Sequence, residues 1–159
     1  MCSYLKKNII LGILILGTSL LFAQRPVNYD SPEYEYNLAV ELLQKEKYGS
    51  AQQYFKYVYE HTHDKQQDIK SNSYFYMGIC AAQLYNEDAI FLLKDFIRHY
   101  PVHSYVPEAY YHLGKFYFYK RQYKKVLDSF SQIDERNVRP TEMAEYRFKL
   151  GYSYFATGD

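Results

Sequence analysis

The chain has 159 residues, 48% of them hydrophobic and 23% charged, with a formal net charge of +1. Seven glycines and five prolines are too few for a collagen-like, linker or disordered chain, and the near-neutral balance offers no basic stripe that would draw nucleic acid. Tyrosine stands out, with 21 copies beside 10 phenylalanines and no tryptophan; its ring packs as a hydrophobe while its hydroxyl stays wet, which suits half-buried helix faces.

Lys6 and Lys7 precede an apolar run from Ile9 to Phe22. A short positive region before a run of this size reads as a secretory signal peptide, because a spanning helix needs about 20 apolar residues. Cleavage is expected after Ala23, with Gln24 as the new terminus, although Leu21 is not the small residue preferred two positions upstream. An uncleaved anchor is the alternative. Removal of Lys6 and Lys7 leaves 17 basic against 18 acidic side chains. Cys2 precedes the run and no cysteine follows it closely, so no lipid anchor is expected. Cys80 would then stand alone, without an intramolecular disulfide, as a small core residue on a helix.

Residues 24–31 read as a short linker, and a repeat follows. Tyr74-Phe75-Tyr76-Met77-Gly78, Tyr110-Tyr111-His112-Leu113-Gly114 and Arg147-Phe148-Lys149-Leu150-Gly151 align, and Glu35-Tyr36-Asn37-Leu38-Ala39 precedes them. The small residues Ala39, Gly78, Gly114 and Gly151 are spaced by 39, 36 and 37. A second apolar trio follows each of the first three turns: Ala51, Phe55 and Val58; Ala89, Leu93 and Phe96; Val126, Phe130 and Ile133. Spacings of four and three put each trio on one helix face. The pattern predicts an all-α chain of antiparallel helix pairs, over about 32–64, 65–101, 102–139 and an incomplete 140–159. Pro32 and Pro107 fit the first turns of helices, Pro140 reads as the stop of the helix before it, and Asp64 could cap the helix that follows it.

Small residues where Gly78 faces Ala89, or Ala39 faces Ala51, predict close helix crossings that a larger side chain would overpack by about 1–3 kcal/mol. Phosphate binding would need glycines between a strand and a helix, a context missing here.

These residues resemble the tetratricopeptide repeat: a leucine-glycine pair in the first helix, tyrosine at the turn, alanine then phenylalanine in the second helix, proline at the end. Phe96-Ile97-Arg98-His99-Tyr100-Pro101 followed by Val106 to Gly114 carries the resemblance most closely. Tyr-Pro endings with periods slightly above 34 are similar to those of the subfamily located in bacterial envelopes, which includes an outer-membrane assembly lipoprotein and the Tol-Pal coordinator. Departures include Val126 in place of the usual alanine, a turn one residue short at Tyr85-Asn86-Glu87-Asp88, and His61-Thr62-His63-Asp64 where a proline is usual. The resemblance implies a solenoid whose first helices line a concave groove.

Groove positions of the repeat correspond here to Tyr36, Phe75, Tyr111 and Phe148; to Val40, Ile79, Lys115 and Tyr152; and to Leu43, Ala82, Phe118 and Phe155. From these, Tyr36, Phe75, Ile79, Tyr111, Lys115, Phe118, Phe148 and Tyr152 are the expected partner-binding residues. Ala39, Ala51, Gly78, Ala89, Gly114 and Gly151 are the expected packing residues. An aromatic groove suits an apolar or aromatic peptide segment, while the competing reading has the same rings bracing adjacent repeats. The carboxylate clamp of chaperone-binding members is not expected, since Lys115 is the lone cation at these positions.

His61 and His63 form the one His-x-His cluster; without a third ligand they read as a turn in solvent rather than a metal site. No G-x-S-x-G, H-E-x-x-H or Walker loop occurs. The expectation is a non-catalytic, cofactor-free protein-protein interaction scaffold, exported to the periplasm or the outer membrane of a Gram-negative bacterium, with protein partners, no nucleic acid, and peripheral association with an envelope complex. Alternatives are a repeat array attached to an enzyme or glycan-binding domain beyond Asp159, and a metal enzyme built on His61 and His63. The last helix carries Phe148, Leu150, Tyr152, Tyr154 and Phe155 around much of its circumference, which suggests that a further helix or another subunit covers it.

Overall fold

A computed structural model describes residues 31–63 and 66–158. The expected signal peptide, linker residues 24–30 and Asp64 lie outside the described residues. Those residues form seven α-helices and no strand: α1 Pro32–Gln44, α2 Tyr48–His61, α3 Gln67–Gln83, α4 Asp88–His99, α5 Val106–Tyr119, α6 Tyr123–Phe130 and α7 Met143–Thr157. None is long and apolar enough to cross a membrane.

Helix starts follow from local chemistry. Ser31 caps α1, its hydroxyl accepting from the Tyr34 N–H at 3.2 Å, and Pro32 occupies the first turn, where a missing N–H does no harm. Pro107 does the same for α5. The described N-cap residue of α3, Gln66, makes no capping bond with its own side chain.

The helix ends repeat one backbone device. After α1, α3 and α5 a non-glycine residue enters the left-handed region: Glu46 (φ 55°), Tyr85 (φ 57°) and Arg121 (φ 56°). After α7 the same conformation falls on Gly158 (φ 79°). In the first three turns the following N–H reaches back to the last turn of the helix: Lys47 to the Leu42 carbonyl, Asn86 to Ala81 and Gln122 to Tyr117, each at 2.9 Å. This closure satisfies carbonyls that the helix end would otherwise leave unpaired. Each left-handed residue lies seven positions after Ala39, Gly78, Gly114 or Gly151, so the turns carry the same 39, 36 and 37 spacing.

Consecutive helices pack antiparallel. Between α3 and α4, the Tyr74 hydroxyl donates to Asp95 at 2.6 Å, while Ala81 and Ala89 share a buried cluster at the turn end. Between α2 and α3, the Gln52 amide donates to the Met77 carbonyl, Phe55 stacks on Tyr76 at 5.1 Å and Tyr59 on Tyr74 at 4.6 Å. The odd-numbered helices also touch one another, α1 on α3, α3 on α5 and α5 on α7. Phe55, Phe75, Phe96 and Phe130 are the large side chains at the centre of the core. Cys80 is also fully buried, which pushes its thiol up to about 12 and leaves it inert at neutral pH.

Two expectations change. Gly78 meets Leu93 and not Ala89: a methyl built on it would sit 2.8 Å from Leu93 Cδ2. Ala89 packs one turn further along, against Ala81 and Phe116. Pro140 does not end a helix, because α6 already stops at Phe130. Ser129 and Ser131 turn their hydroxyls onto the carbonyls of Lys125 and Asp128, and Asp134 accepts from the Arg136 N–H to open a short 3-10 turn, Glu135–Asn137. Short polar side chains offer the backbone an alternative to helix here. Ile133 stays buried from beyond the helix end.

Candidate partner-binding site

The sequence-derived groove residues separate by burial. Phe75, Ile79 and Tyr111 are core residues, at 0%, 6% and 3% exposure. Phe75 packs against Phe96 and stacks on Tyr105 at 4.6 Å, so it braces neighbouring helices. Tyr36 is half-buried, edge-on to Phe55. Lys115, Phe118, Phe148 and Tyr152 do come together, in a concavity of about 690 Å³ between α5 and α7.

Of the small residues, Ala39, Ala51, Gly78, Ala89 and Gly114 are buried at crossings. Gly114 is the tightest, lying against the Phe130 ring. Gly151 is exposed, and a methyl there would meet nothing within 4 Å.

The concavity has a ring wall. Phe118 lies 6.2 Å from Phe148 and 5.5 Å from Tyr152, and Tyr152 lies 5.4 Å from Tyr123 on α6. Phe148 and Tyr152 are 63% and 42% exposed, an uncommon state for rings of this size on adjacent helical turns. Further along α7, Phe155 is 84% exposed.

It also has a charged floor and rim, of which Lys115 alone was among the sequence-derived groove residues. Glu145 receives Lys115 at 3.1 Å, Lys149 at 3.5 Å and the Tyr111 hydroxyl at 3.0 Å. Burial pushes the Glu145 carboxyl up, but the Lys115 hydrogen bond, the two ammonium charges and the Tyr111 hydroxyl pull it below an ordinary glutamate. Lys149 also sits over the Phe118 ring at 4.2 Å. Arg121 stands at the rim, exposed. Lys149 follows Phe148 in sequence and Arg121 lies in a turn, so neither falls at a repeat groove position. Only their convergence in space reveals them.

His112 lines the inner wall and is 4% exposed. Burial, then the charges of Lys115 and Arg139, pull its pKa down to about 3. Its Nε2 has no hydrogen-bond partner among the described residues; the nearest carboxylate oxygen, on Glu108, is 3.9 Å away. It is a neutral wall residue at physiological pH.

A Ser-His contact elsewhere runs in the wrong sense for nucleophilic chemistry. Ser71 Oγ is 3.2 Å from His103 Nε2. The Tyr105 N–H donates to His103 Nδ1 at 3.2 Å, so the neutral ring carries its proton on Nε2 and presents it to the serine. Ser71 in turn donates to the Asp68 carbonyl. The histidine is not positioned to take the serine's proton; the contact ties α3 to the turn before α5. His61 stacks on Tyr57 and its Nδ1 is 2.8 Å from the Tyr57 carbonyl, while His63 is exposed. Among the described residues no three His, Cys, Asp or Glu side chains are grouped to hold a metal.

No family model, curated protein or solved structure matches the chain.

Proposed function

We propose that the chain is a tetratricopeptide-type helical solenoid serving as a non-catalytic scaffold, exported to a bacterial envelope, that holds a partner protein segment between α5 and α7. One observation carries the reading. Phe118, Phe148 and Tyr152 form a partly wetted ring wall inside a concavity whose floor and rim are charged. Apolar walls with a few placed polar groups are how peptide-binding grooves gain both affinity and orientation. The recurrent left-handed turn at spacings of 39, 36 and 37 supports the repeat reading, since it reproduces the sequence period in the backbone. The apolar run from Ile9 to Phe22 supports export.

Random-peptide display on the purified protein tests the site. Enrichment is expected for wild type and for Phe91→Ala, a ring equally exposed at 64% but outside the concavity. It should vanish in Phe148→Ala, Tyr152→Ala. Equal enrichment in that double variant would remove the concavity as the site. Tyr111 is unsuitable for this test because it belongs to the core.

A further inference from the structure

The concavity carries uncompensated positive charge. Among the described residues that line it, Lys115, Lys149 and Arg121 stand against one carboxylate, Glu145, three cations to one anion. Glu145 already serves both lysines, and one carboxylate neutralises one ammonium. Lys149 finds partial compensation over the Phe118 face, which leaves its charge in place. Arg121 makes no ion pair with a carboxylate among the described residues; its own turn holds it at the mouth. Both cations line the same concavity as the wetted rings, so an occupant there must cover apolar surface and supply negative charge.

We propose, on the footing of the peptide-binding reading above, that this concavity takes an internal protein segment in which aromatic side chains alternate with carboxylates, the rings packing on Phe118, Phe148 and Tyr152 and the carboxylates pairing with Lys149 and Arg121. Alternation follows from the site: Phe148 and Lys149 are neighbours on one helix turn, and Arg121 lines the same concavity from the turn after α5. A purely acidic tail would leave the rings wet, and a purely apolar segment would cover two positive charges in excess of the one carboxylate, which is costly. The electrostatic share of binding should fall steeply with salt because the rim is open to solvent.

Fluorescence anisotropy tests this with an end-labelled peptide alternating phenylalanine and aspartate, its C-terminus amidated. The comparison probes replace aspartate with asparagine, with an amidated or a free C-terminus, and a labelled oligouridine is included. The aspartate probe should bind about tenfold tighter than the amidated asparagine probe at low salt, and the gap should close in high salt. Arg121→Gln, on an exposed turn, and Lys149→Gln should each weaken the aspartate probe several-fold and the asparagine probe less, with circular dichroism of each variant matching wild type. Lys56→Gln, on α2 and outside the concavity, should change neither. Equal affinity for the aspartate and asparagine probes would overturn the charge inference and leave the aromatic-site reading standing. A free C-terminus that restores full affinity to the asparagine probe would assign the cations to chain ends. Binding of oligouridine above all peptides would make the ligand a nucleic acid. Binding of no probe at all would sink both proposals together.

Discussion

Three glycines at the same place in the repeat should respond to alanine in three different ways. At Gly114 the new methyl would sit 2.5 Å from Phe130 Cδ1, 2.9 Å from Cζ and closer still to Cε1. The ring cannot swing away freely, because it is 1% exposed and packed against Tyr146 at 4.7 Å and Tyr111 at 6.1 Å. Overpacking of this kind costs about 1–3 kcal/mol. Alanine recovers up to about 1 kcal/mol of helix propensity, and with a clash this close the cost lies at the upper end, so Gly114→Ala should lose about 2 kcal/mol net. At Gly78 the methyl meets Leu93 Cδ2 at 2.8 Å and Cγ at 3.0 Å; a leucine can change rotamer, and the change should fall near zero. At Gly151 nothing lies within 4 Å, and Gly151→Ala should gain up to about 1 kcal/mol. Urea unfolding followed by far-ultraviolet circular dichroism and by tyrosine fluorescence would rank them, with coincident transitions as the check that a single free energy applies. Equal destabilisation by all three would refute the packing argument, since it would mean the glycines act through something other than the neighbours seen here.

Acid should weaken the fold through His112. Its pKa is held down to about 3, whereas the unfolded chain takes the proton near 6.5. Stability is therefore full above about pH 6.5, falls by about 1.4 kcal/mol per pH unit below it, and levels off near pH 3. About 2 kcal/mol should be gone at pH 5, and His112→Gln should flatten that slope in urea melts at pH 7 and 5. His103 adds to the loss in the same direction, because burial lowers it too; a slope unchanged in His112→Gln would contradict the assignment. Glu46→Gly relieves a left-handed non-glycine residue at φ 55° and should change stability by a gain of about 0.5–1 kcal/mol, read by thermal melting. N-terminal sequencing of the protein recovered from the envelope should read Gln24; an intact Met1 would contradict cleavage.

The helical fold was legible because its signals are local. The trios Ala51-Phe55-Val58 and Ala89-Leu93-Phe96 are buried faces at the spacing that announced them. Pro32, Pro107 and Ser31 mark helix starts. The end of α6 was misread because no glycine or proline marks the stop at Phe130, and the sequence offered Pro140 as a louder signal. The left-handed turns at Glu46, Tyr85 and Arg121 gave no warning, since left-handed positions are usually betrayed by glycine.

The site was only half legible. Motif positions place a side chain around a helix but do not say whether a neighbouring turn covers it. Phe75 and Tyr111 occupy groove positions yet are closed over, Phe75 by Tyr105 from the turn before α5 and Tyr111 between Phe130 and Tyr146. Lys149 and Arg121 occupy no groove position yet converge on the rings. Burial and convergence are tertiary properties, and a repeat register carries neither.

The most direct test of the partner site is photo-crosslinking with benzoylphenylalanine at position 148, compared with position 91, in the living cell. The two rings are matched in exposure, at 63% and 64%, and differ in whether they face the concavity. A defined adduct from position 148 and none from position 91 is the predicted result. The same adduct from both positions, or an adduct from position 91 alone, would contradict it.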